Sequence, residues 1–339
     1  MRKIEPRGGL AEILPAGGPA GEVVGPDTLG VPGRFSPTPN FSGATTDARL
    51  VELWLKGKAP STRRKYEEDL KSFLLYSSGK PLSAVTLSDL SEFADDLSWL
   101  APATQARKLR VMKSLFSFAQ KVGYLAYNVG AALEAPKSKE TLSERILTEE
   151  EAHRLINAPD NPRDRALLRT LYAGALRREE ACGLKWRDVA ARPDLGPGLG
   201  QLTVFGKGSK TGAVVLPASV FRDLLALRER QARPSPGGSS PGTVSDEEPV
   251  FASRKRRNAN GGHLDPSAVN RVVAKAAKKA GIDRPVSPHW LRHAHASHAH
   301  ARGTDLALIR DTLRHSSIST TGRYLHARPK DSSALHLGF

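Results

Sequence analysis

The chain has 339 residues, with 51 Lys and Arg against 35 Asp and Glu, and its formal net charge at pH 7 is +16. This length suits about two domains of ordinary size. The excess positive charge predicts a polyanionic partner and steeply salt-dependent binding, because a basic protein that binds nucleic acid releases condensed counterions. A generally basic, solvated surface is the alternative.

Cysteine usage and hydropathy argue against two further classes. Cys182 is the only cysteine, which rules out an internal disulfide and fits a reducing compartment. No apolar run is long enough for a signal sequence or a membrane span. The sequence therefore predicts a cytoplasmic protein that does not engage a membrane.

Residues 1–46 are rich in Gly and Pro and show no sustained apolar period. A segment of this kind buries too little apolar surface to offset the entropy lost on ordering. We therefore expect a disordered arm.

Residues 47–135 follow the 3.6-residue period of amphipathic helices. Ser61 and Thr62 are favourable N-cap residues, and the apolar positions that follow, such as Leu70 and Phe73, share one face. The pattern predicts the core of a small helical bundle.

Two further helices complete this bundle. Thr86 and Asp89 resemble a capping box, and Leu109 and Met112 belong to the apolar face of a later helix that stops near Gly123. Basic residues outside the apolar stripes are candidate phosphate contacts, although any soluble helix has a charged outer face. These candidates are Arg63, Arg64, Lys65, Arg107, Lys108 and Lys113.

A polar linker is predicted over residues 136–146, before a second domain over residues 147–328. That domain opens with a capping box formed by Thr148 and Glu151. A short tail, 329–339, would end the chain, and its apolar residues could anchor it on a neighbouring protomer or leave it frayed.

Arg177 and Glu180 stand three residues apart, just after a helix that Gly174 ends. This spacing at the start of a helix lets a guanidinium and a carboxylate share one face. A surface ion pair would give the same pattern.

Residues 201–205 and 213–217 alternate as two strands of a hairpin, with Lys207 in the turn between them. The turn is not a P-loop, because the GxxxxGK[ST] pattern is absent. Asp265 and Pro266 then start another helix. The densest basic run lies just before that helix and could face phosphates, namely Arg254, Lys255, Arg256 and Arg257.

The richest chemistry lies towards the C-terminus. One box contains His289, Arg292 and His293, a second contains His315, and Tyr324 follows. A metal site is the competing interpretation of so many histidines. No HExxH pattern or cysteine partner supports it, and we expect no cofactor.

The order of these motifs resembles the tyrosine recombinases of the phage-integrase family, and in particular their Xer-like branch. The resemblance implies a mainly α fold with a small antiparallel β-sheet. A helical core-binding, SAM-like domain and a catalytic domain would form a C-shaped clamp on DNA. The residues that carry the resemblance are Arg177, Glu180, Lys207, His289, Arg292, His293, His315 and Tyr324.

The resemblance also implies a reaction. Arg177 and Arg292 would clamp the phosphate, and His289 and His315 would donate further hydrogen bonds. Tyr324 would be the nucleophile and form a 3′-phosphotyrosine intermediate. The remaining roles are the general acid Lys207 and the orienting residues Glu180 and His293.

The implied activity is site-specific recombination of double-stranded DNA by a homo-oligomer, either as a tetramer or with a paralogous recombinase. A type IB topoisomerase and a catalytically silent DNA-binding protein are the alternatives. One position departs from the family. Arg314 stands where glycine is common, and it would either contact phosphate or perturb the turn.

Overall fold

In the computed structural model, the described residues are 39–136, 143–206, 211–233, 243–253, 262–315, 317 and 321–322. The chain divides into two compact units, Met1–Glu140 and Thr141–Phe339. None of the helices in the described ranges is both long and apolar enough to cross a membrane.

The first unit is a helical bundle. Its helices are α1 (Asp47–Leu55), α2 (Pro60–Tyr76), α3 (Leu87–Asp96) and α4 (Pro102–Lys121). Their apolar stripes meet in one core, where Phe73 and Phe93 pack edge to face with ring centroids 5.2 Å apart. The capping box of α3 is confirmed, because Thr86 and Asp89 each accept the other's backbone N–H through a side-chain oxygen.

The prediction of a disordered arm up to residue 46 is wrong for residues 39–46. The Phe41 N–H donates to the carbonyl of Val122 at 2.9 Å, which fixes this segment against the end of α4. Gly123 has φ +72°, and a Cβ on it would lie 2.2 Å from the carbonyl oxygen of Pro39. The close approach of two backbone segments therefore requires glycine there.

The predicted start of α2 is also wrong. The helix begins at Pro60, with Ala59 as its N-cap, and not after Ser61 or Thr62. The fixed φ of proline suits the first helical position, where its missing N–H costs nothing.

The bundle buries one carboxylate in its interior. Asp69 is only 2% exposed and pairs with Arg107 and with Lys108, whose Nζ lies 3.3 Å from Oδ1. The Lys108 side chain is 14% exposed and also donates to Ser72 at 2.8 Å. The placement of Lys108 on the outer face is therefore wrong, because its charge is used inside the bundle.

Replacing Asp69 with Ala is expected to lower the free energy of unfolding of this bundle by about 3 kcal/mol, because it leaves a poorly hydrated ammonium without its carboxylate. Urea unfolding, monitored by hydrogen exchange of the amides in α2 and α4, would measure the change. Glu68→Ala is the matched control, since Glu68 is exposed and lies 3.9 Å from Arg64. A loss at Asp69 no larger than that of the control would contradict the assignment.

The second unit combines helices with a small sheet. Its helices are α5 (Glu149–Asn157), α6 (Pro162–Ala173), α7 (Arg178–Gly183), α8 (Ala218–Ala232), α9 (Pro266–Lys279), α10 (Pro288–Ala301) and α11 (Leu306–Leu313). Its strands are β1 (Val189–Ala191), β2 (Gly200–Phe205) and β3 (Thr211–Leu216). The predicted fold class, mainly α with a small antiparallel sheet, is confirmed.

The three strands pair in the order β1-β2-β3, and both pairings are antiparallel. In β2, Leu202 and Val204 are buried and alternate with less buried neighbours, as expected for a sheet with one face on the core. Helix α11 lies against β3 and α10. A small apolar cluster that includes Ala296 and Leu313 joins α10 to α11 and thereby fixes the two histidine boxes relative to each other.

Candidate active site

Helix α10 carries the first histidine box and places its arginine inside the protein. Arg292 is 2% exposed. Its Nη1 donates to the carbonyl of Ala175 at 2.5 Å, and its Nη2 donates to the carbonyl of Leu313. This guanidinium therefore ties the loop before α7 to the end of α11.

Arg177 is the N-cap of α7 and is paired with Glu180, as their spacing predicts. Glu180 Oε1 accepts from Arg177 Nη1 at 2.6 Å, and Oε2 accepts from the Arg177 backbone N–H at 2.8 Å. Burial raises the pKa of the Glu180 carboxyl, but Arg314 and Arg177 outweigh it, so the pKa lies below its usual value. Glu180 is thus a buried carboxylate that holds its charge.

His315 follows α11 and lies among the arginines. Its Nδ1 is 2.9 Å from the hydroxyl of the buried Thr321. Burial lowers the pKa of His315 to about 4, and the charges of Arg292, Arg177 and Arg314 act in the same direction. The imidazole is therefore neutral at pH 7.

His289 occupies the exposed first turn of α10. Its ring stacks on that of His293, with centroids 5.8 Å apart. Its partial removal from water lowers the pKa of His289, and the positive charges of Arg292 and Arg177 add to this effect. His289 is thus close enough to both predicted arginines to respond to their charge.

Arg314 is the C-cap residue of α11. It adopts the left-handed conformation at the end of α11, with φ 54° and ψ 44°, which costs a non-glycine residue on the order of 1 kcal/mol. Its side chain is 10% exposed, and its Nη2 donates to Glu180 Oε2 at 2.7 Å. The structure directs the charge of Arg314 to an internal carboxylate, and its contact with a DNA phosphate stays a prediction.

The structure brings Arg177, His289, Arg292 and His315 into one electrostatic neighbourhood, with Glu180 among them. These residues come from the loop before α7, from α10 and from the end of α11. Several predicted residues lie outside the described part of the chain. They are Lys207, Arg254, Lys255, Arg256, Arg257, Tyr324 and the tail 329–339.

Other histidines of α10 have structural partners. His298 lies 2.9 Å from both the Tyr172 hydroxyl and the carbonyl of Leu147. His295 Nδ1 lies 2.9 Å from the carbonyl of Tyr172. Within the described ranges, no group of three or more His, Cys, Asp or Glu side chains is arranged to hold a metal ion.

His295 is expected to make the stability of the second unit depend on pH. Burial, chiefly, lowers the pKa of His295 to about 4. Between that value and the ordinary 6.5, the unfolded chain binds a proton that the folded chain does not. The free energy of unfolding therefore falls as pH falls through this window, with a slope of up to about 1.4 kcal/mol per pH unit.

Denaturant unfolding at pH 7 and pH 5 tests this expectation. His295→Asn, which keeps an N–H donor but does not titrate, should reduce the difference between the two pH values. His153→Asn, at an exposed position of α5, should leave it unchanged. Equal pH dependence in all three proteins would contradict the role of His295.

Both units of the chain match models of known protein families. A family model described as Phage integrase family matches residues 145–331. A second, described as Phage integrase, N-terminal SAM-like domain, matches residues 50–123. The chain belongs to the phage integrase family.

Individual members of this family are similar to the chain over most of their length. Tyrosine recombinase XerC of Xylella fastidiosa (strain M23) is 32% identical over 294 residues, which cover 82% of this chain and 92% of the relative. XerH site-specific recombinase, in a post-cleavage complex with a palindromic difH substrate, superposes with a TM-score of 0.65 at 23% identity. That match covers 86% of this chain and 84% of XerH.

A lambda integrase tetramer bound to a Holliday junction superposes with a TM-score of 0.61 at 19% identity. The match covers 80% of this chain and 78% of the integrase. The two structural likenesses support the fold. The predicted resemblance to Xer-like tyrosine recombinases is confirmed by the family match and the XerC relative.

The predicted phosphate contacts of the helical unit differ in exposure. Arg63, Arg64 and Lys65 lie exposed on the first turns of α2. Lys113 instead donates to the carbonyls of Ala131 at 3.1 Å and Leu133 at 2.7 Å. The exposed arginines and lysine at the start of α2 therefore stay candidate phosphate contacts, because solvent reaches their side chains. The ammonium of Lys113 instead holds the bundle's C-terminal segment.

Two charged contacts were not predicted from the sequence, namely that of Arg314 with Glu180 and that of Asp69 with its two basic partners. Arg314 and Glu180 lie 134 positions apart along the chain, and no local spacing connects them. Asp69 had a usable signal, because it sits one residue before the buried Leu70 on the apolar side of α2. An acidic residue in such a stripe indicates a buried partner.

Proposed function

We propose that this chain is a site-specific DNA recombinase that cleaves and rejoins strands through a 3′-phosphotyrosine intermediate. The observation that carries the proposal is the gathering of Arg177, His289, Arg292 and His315 in a single neighbourhood, although they come from distant parts of the chain. Family membership and the XerC relative support the same activity.

Two arginines would stabilise the charge of the reacting phosphate. A phosphodiester in a five-coordinate transition state accumulates negative charge on its non-bridging oxygens. Arg177 and Arg292 supply positive charge, and the contacts of Arg292 with Ala175 and Leu313 fix its position before DNA arrives. Charges that need no rearrangement during the reaction lower its barrier most.

The histidines would act as neutral groups. With its pKa near 4, His315 is a hydrogen-bond donor at pH 7 and not a cation. The hydroxyl of Thr321 can donate to Nδ1, which places the ring proton on Nε2 for the phosphate. His289 would donate a second hydrogen bond, with His293 stacked on it as an orienting partner.

Tyr324 and Lys207 complete the proposed reaction. The Tyr324 hydroxyl oxygen attacks phosphorus, loses its proton to a nearby base, and forms the phosphotyrosine bond as the bond to the 5′ oxygen breaks. Lys207 donates a proton to that departing oxygen. Attack by a 5′-hydroxyl on the phosphotyrosine reverses these steps, and the energy of the phosphoester bond is conserved.

The domain assignment is part of this proposal. Residues 47–135 would be the DNA-binding core domain and residues 147–328 the catalytic domain. The partner would be double-stranded DNA carrying specific sites, bound by a homo-oligomer such as a tetramer or together with a paralogous recombinase, and the location would be the cytoplasm. Candidate backbone contacts include Arg63, Arg64, Lys65 and the basic run 254–257.

Covalent capture on a randomised library of nicked duplexes tests the function. A nick just downstream of the cleaved phosphate lets the short fragment that carries the freed 5′-hydroxyl diffuse away. The strand then cannot be rejoined, so the adduct accumulates. We expect denaturation-resistant protein–DNA adducts in the presence of a metal chelator, and sequencing of the captured duplexes should give one preferred site. Binding of the library without any adduct would contradict the proposed function.

A further inference from the structure

Arg314 is held by more contacts than a surface arginine would be. Its Nη1 donates to the carbonyl of Thr312 at 2.7 Å, and its Nη2 donates to Glu180 Oε2 at 2.7 Å and to the carbonyl of Ala175 at 3.3 Å. The side chains of Arg314 and Glu180 are 10% and 4% exposed. The guanidinium therefore has one fixed position inside the second unit.

These contacts connect Arg314 to both proposed phosphate-binding arginines. Glu180 accepts from Arg177 as well as from Arg314, through different oxygens for the two guanidinium groups. The carbonyl of Ala175 accepts from Arg292 as well as from Arg314. Because Arg314 shares one acceptor with each of them, a shift of its side chain would move both.

The charge of Glu180 is divided between two cations. With only Arg177 as partner, the carboxylate would neutralise that guanidinium and compete with a phosphate for it. Arg314 supplies a second buried cation to the same carboxylate, so Arg177 keeps more of its positive charge for an incoming anion. The rigid, forked guanidinium suits this role because it bonds several acceptors at once.

Gly212 in strand β3 makes room for this arginine. A Cβ built on Gly212 would lie 2.7 Å from Cδ and 3.0 Å from Cγ of Arg314, and no other described atom beyond its two chain neighbours comes within 4 Å of it. The φ of Gly212 does not lie in the left-handed region, so its backbone conformation does not require glycine. The stem of Arg314 cannot swing away without breaking the bonds at its tip.

We propose that Arg314 is a positioning residue for DNA cleavage: it orients Glu180, Arg177 and Arg292, and Gly212 is a glycine because Arg314 passes over it. This inference rests on the proposed function. It also connects the arginine cluster to strand β3, which follows Lys207 in the sequence. A glycine at position 314 could adopt the same left-handed conformation but could not make these side-chain contacts.

Single-turnover cleavage of the captured duplex is the first test. Arg314→Gly fits the left-handed backbone but takes a buried cation from Glu180, so we expect a lower melting temperature. Well below that temperature, its Kd for the duplex should stay close to wild type while its cleavage rate falls between about 10-fold and 100-fold. Arg310→Gln, which removes one partly exposed charge from α11, is the matched control and should cleave at the wild-type rate. A fully active Arg314→Gly would overturn the positioning role.

A double-mutant cycle tests the contact with Gly212. Gly212→Ala should slow cleavage about 10-fold in the wild-type chain, since its Cβ displaces the arginine stem. In an Arg314→Gly chain the same substitution meets open space and should have no further effect. Equal losses in the two chains would overturn the claim that Gly212 accommodates Arg314.

A conservative variant separates positioning from packing. Arg314→Lys keeps a cation for Glu180 but lacks the fork that reaches Ala175 and Thr312, so it should recover part of the rate lost in Arg314→Gly. A rate no higher than that of Arg314→Gly would contradict the contribution of its charge. Failure of the proposed function can be distinguished from failure of the positioning role, because the wild-type chain would then form no adduct at all.

Discussion

Tyr324→Phe is expected to bind the captured duplex with the wild-type Kd and to form no covalent adduct. The substitution removes one oxygen and preserves the aromatic ring, so packing and charge stay the same while the nucleophile is lost. Loss of a nucleophile reduces enzymatic rates by on the order of 10⁴-fold or more, which would place cleavage below detection.

The matched control for this variant is Tyr127→Phe. Tyr127 is an exposed tyrosine of the helical unit, so losing its hydroxyl should change neither binding nor cleavage. Adduct formation by Tyr324→Phe at a measurable rate would mean that another side chain attacks the phosphate.

Arg177→Ala is expected to reduce the single-turnover cleavage rate by between about 10² and 10³-fold, because it removes a fixed cation where charge develops in the transition state. Arg177 suits this test better than Arg292, whose buried guanidinium also holds two backbone carbonyls. Cleavage of the captured duplex at saturating protein would measure the effect.

The next residue provides the control. Arg178 pairs with Glu179 at 2.5 Å, carries the same charge and begins the same helix. Both variants lose one positive charge, so Arg178→Ala should weaken DNA binding about as much as Arg177→Ala does. Its cleavage rate should stay within a few-fold of wild type. Equal losses of cleavage in both variants would contradict a specific role for Arg177.

Features set by neighbouring residues could be predicted from the sequence. The capping boxes at Thr86 and Thr148 and the pair of Arg177 with Glu180 depend on residues three apart, and all three are present. The order of the motifs also pointed to the family, because each motif carries its own chemistry. Helix α2 shows the limit of local rules, since Pro60 begins it ahead of two good N-cap residues.

Features set by distant contacts could not be predicted in this way. Strand β1 has three residues and exists through its pairing with β2, so its own sequence carries almost no signal. The Gly/Pro-rich segment before α1 looked disordered, yet residues 39–46 are ordered by a contact with the end of α4. Tertiary contacts overrode local composition in both cases.

Arg314 shows why a departure from a family pattern needs a structure. The sequence alone offered two explanations, an added phosphate contact or a perturbed turn. The residue keeps the left-handed conformation that glycine favours, and its side chain is used internally, on Glu180 and on two backbone carbonyls. An altered turn therefore does not describe this arrangement, and the side chain makes internal contacts that the sequence did not predict.

Identifying the amino acid that carries the DNA in the trapped adduct tests the proposed reaction most directly. Nuclease and trypsin digestion followed by mass spectrometry should find a nucleotide joined through its 3′-phosphate to the peptide that begins at Tyr324. A nucleotide attached to any other residue, or through its 5′-phosphate, would contradict the proposed reaction.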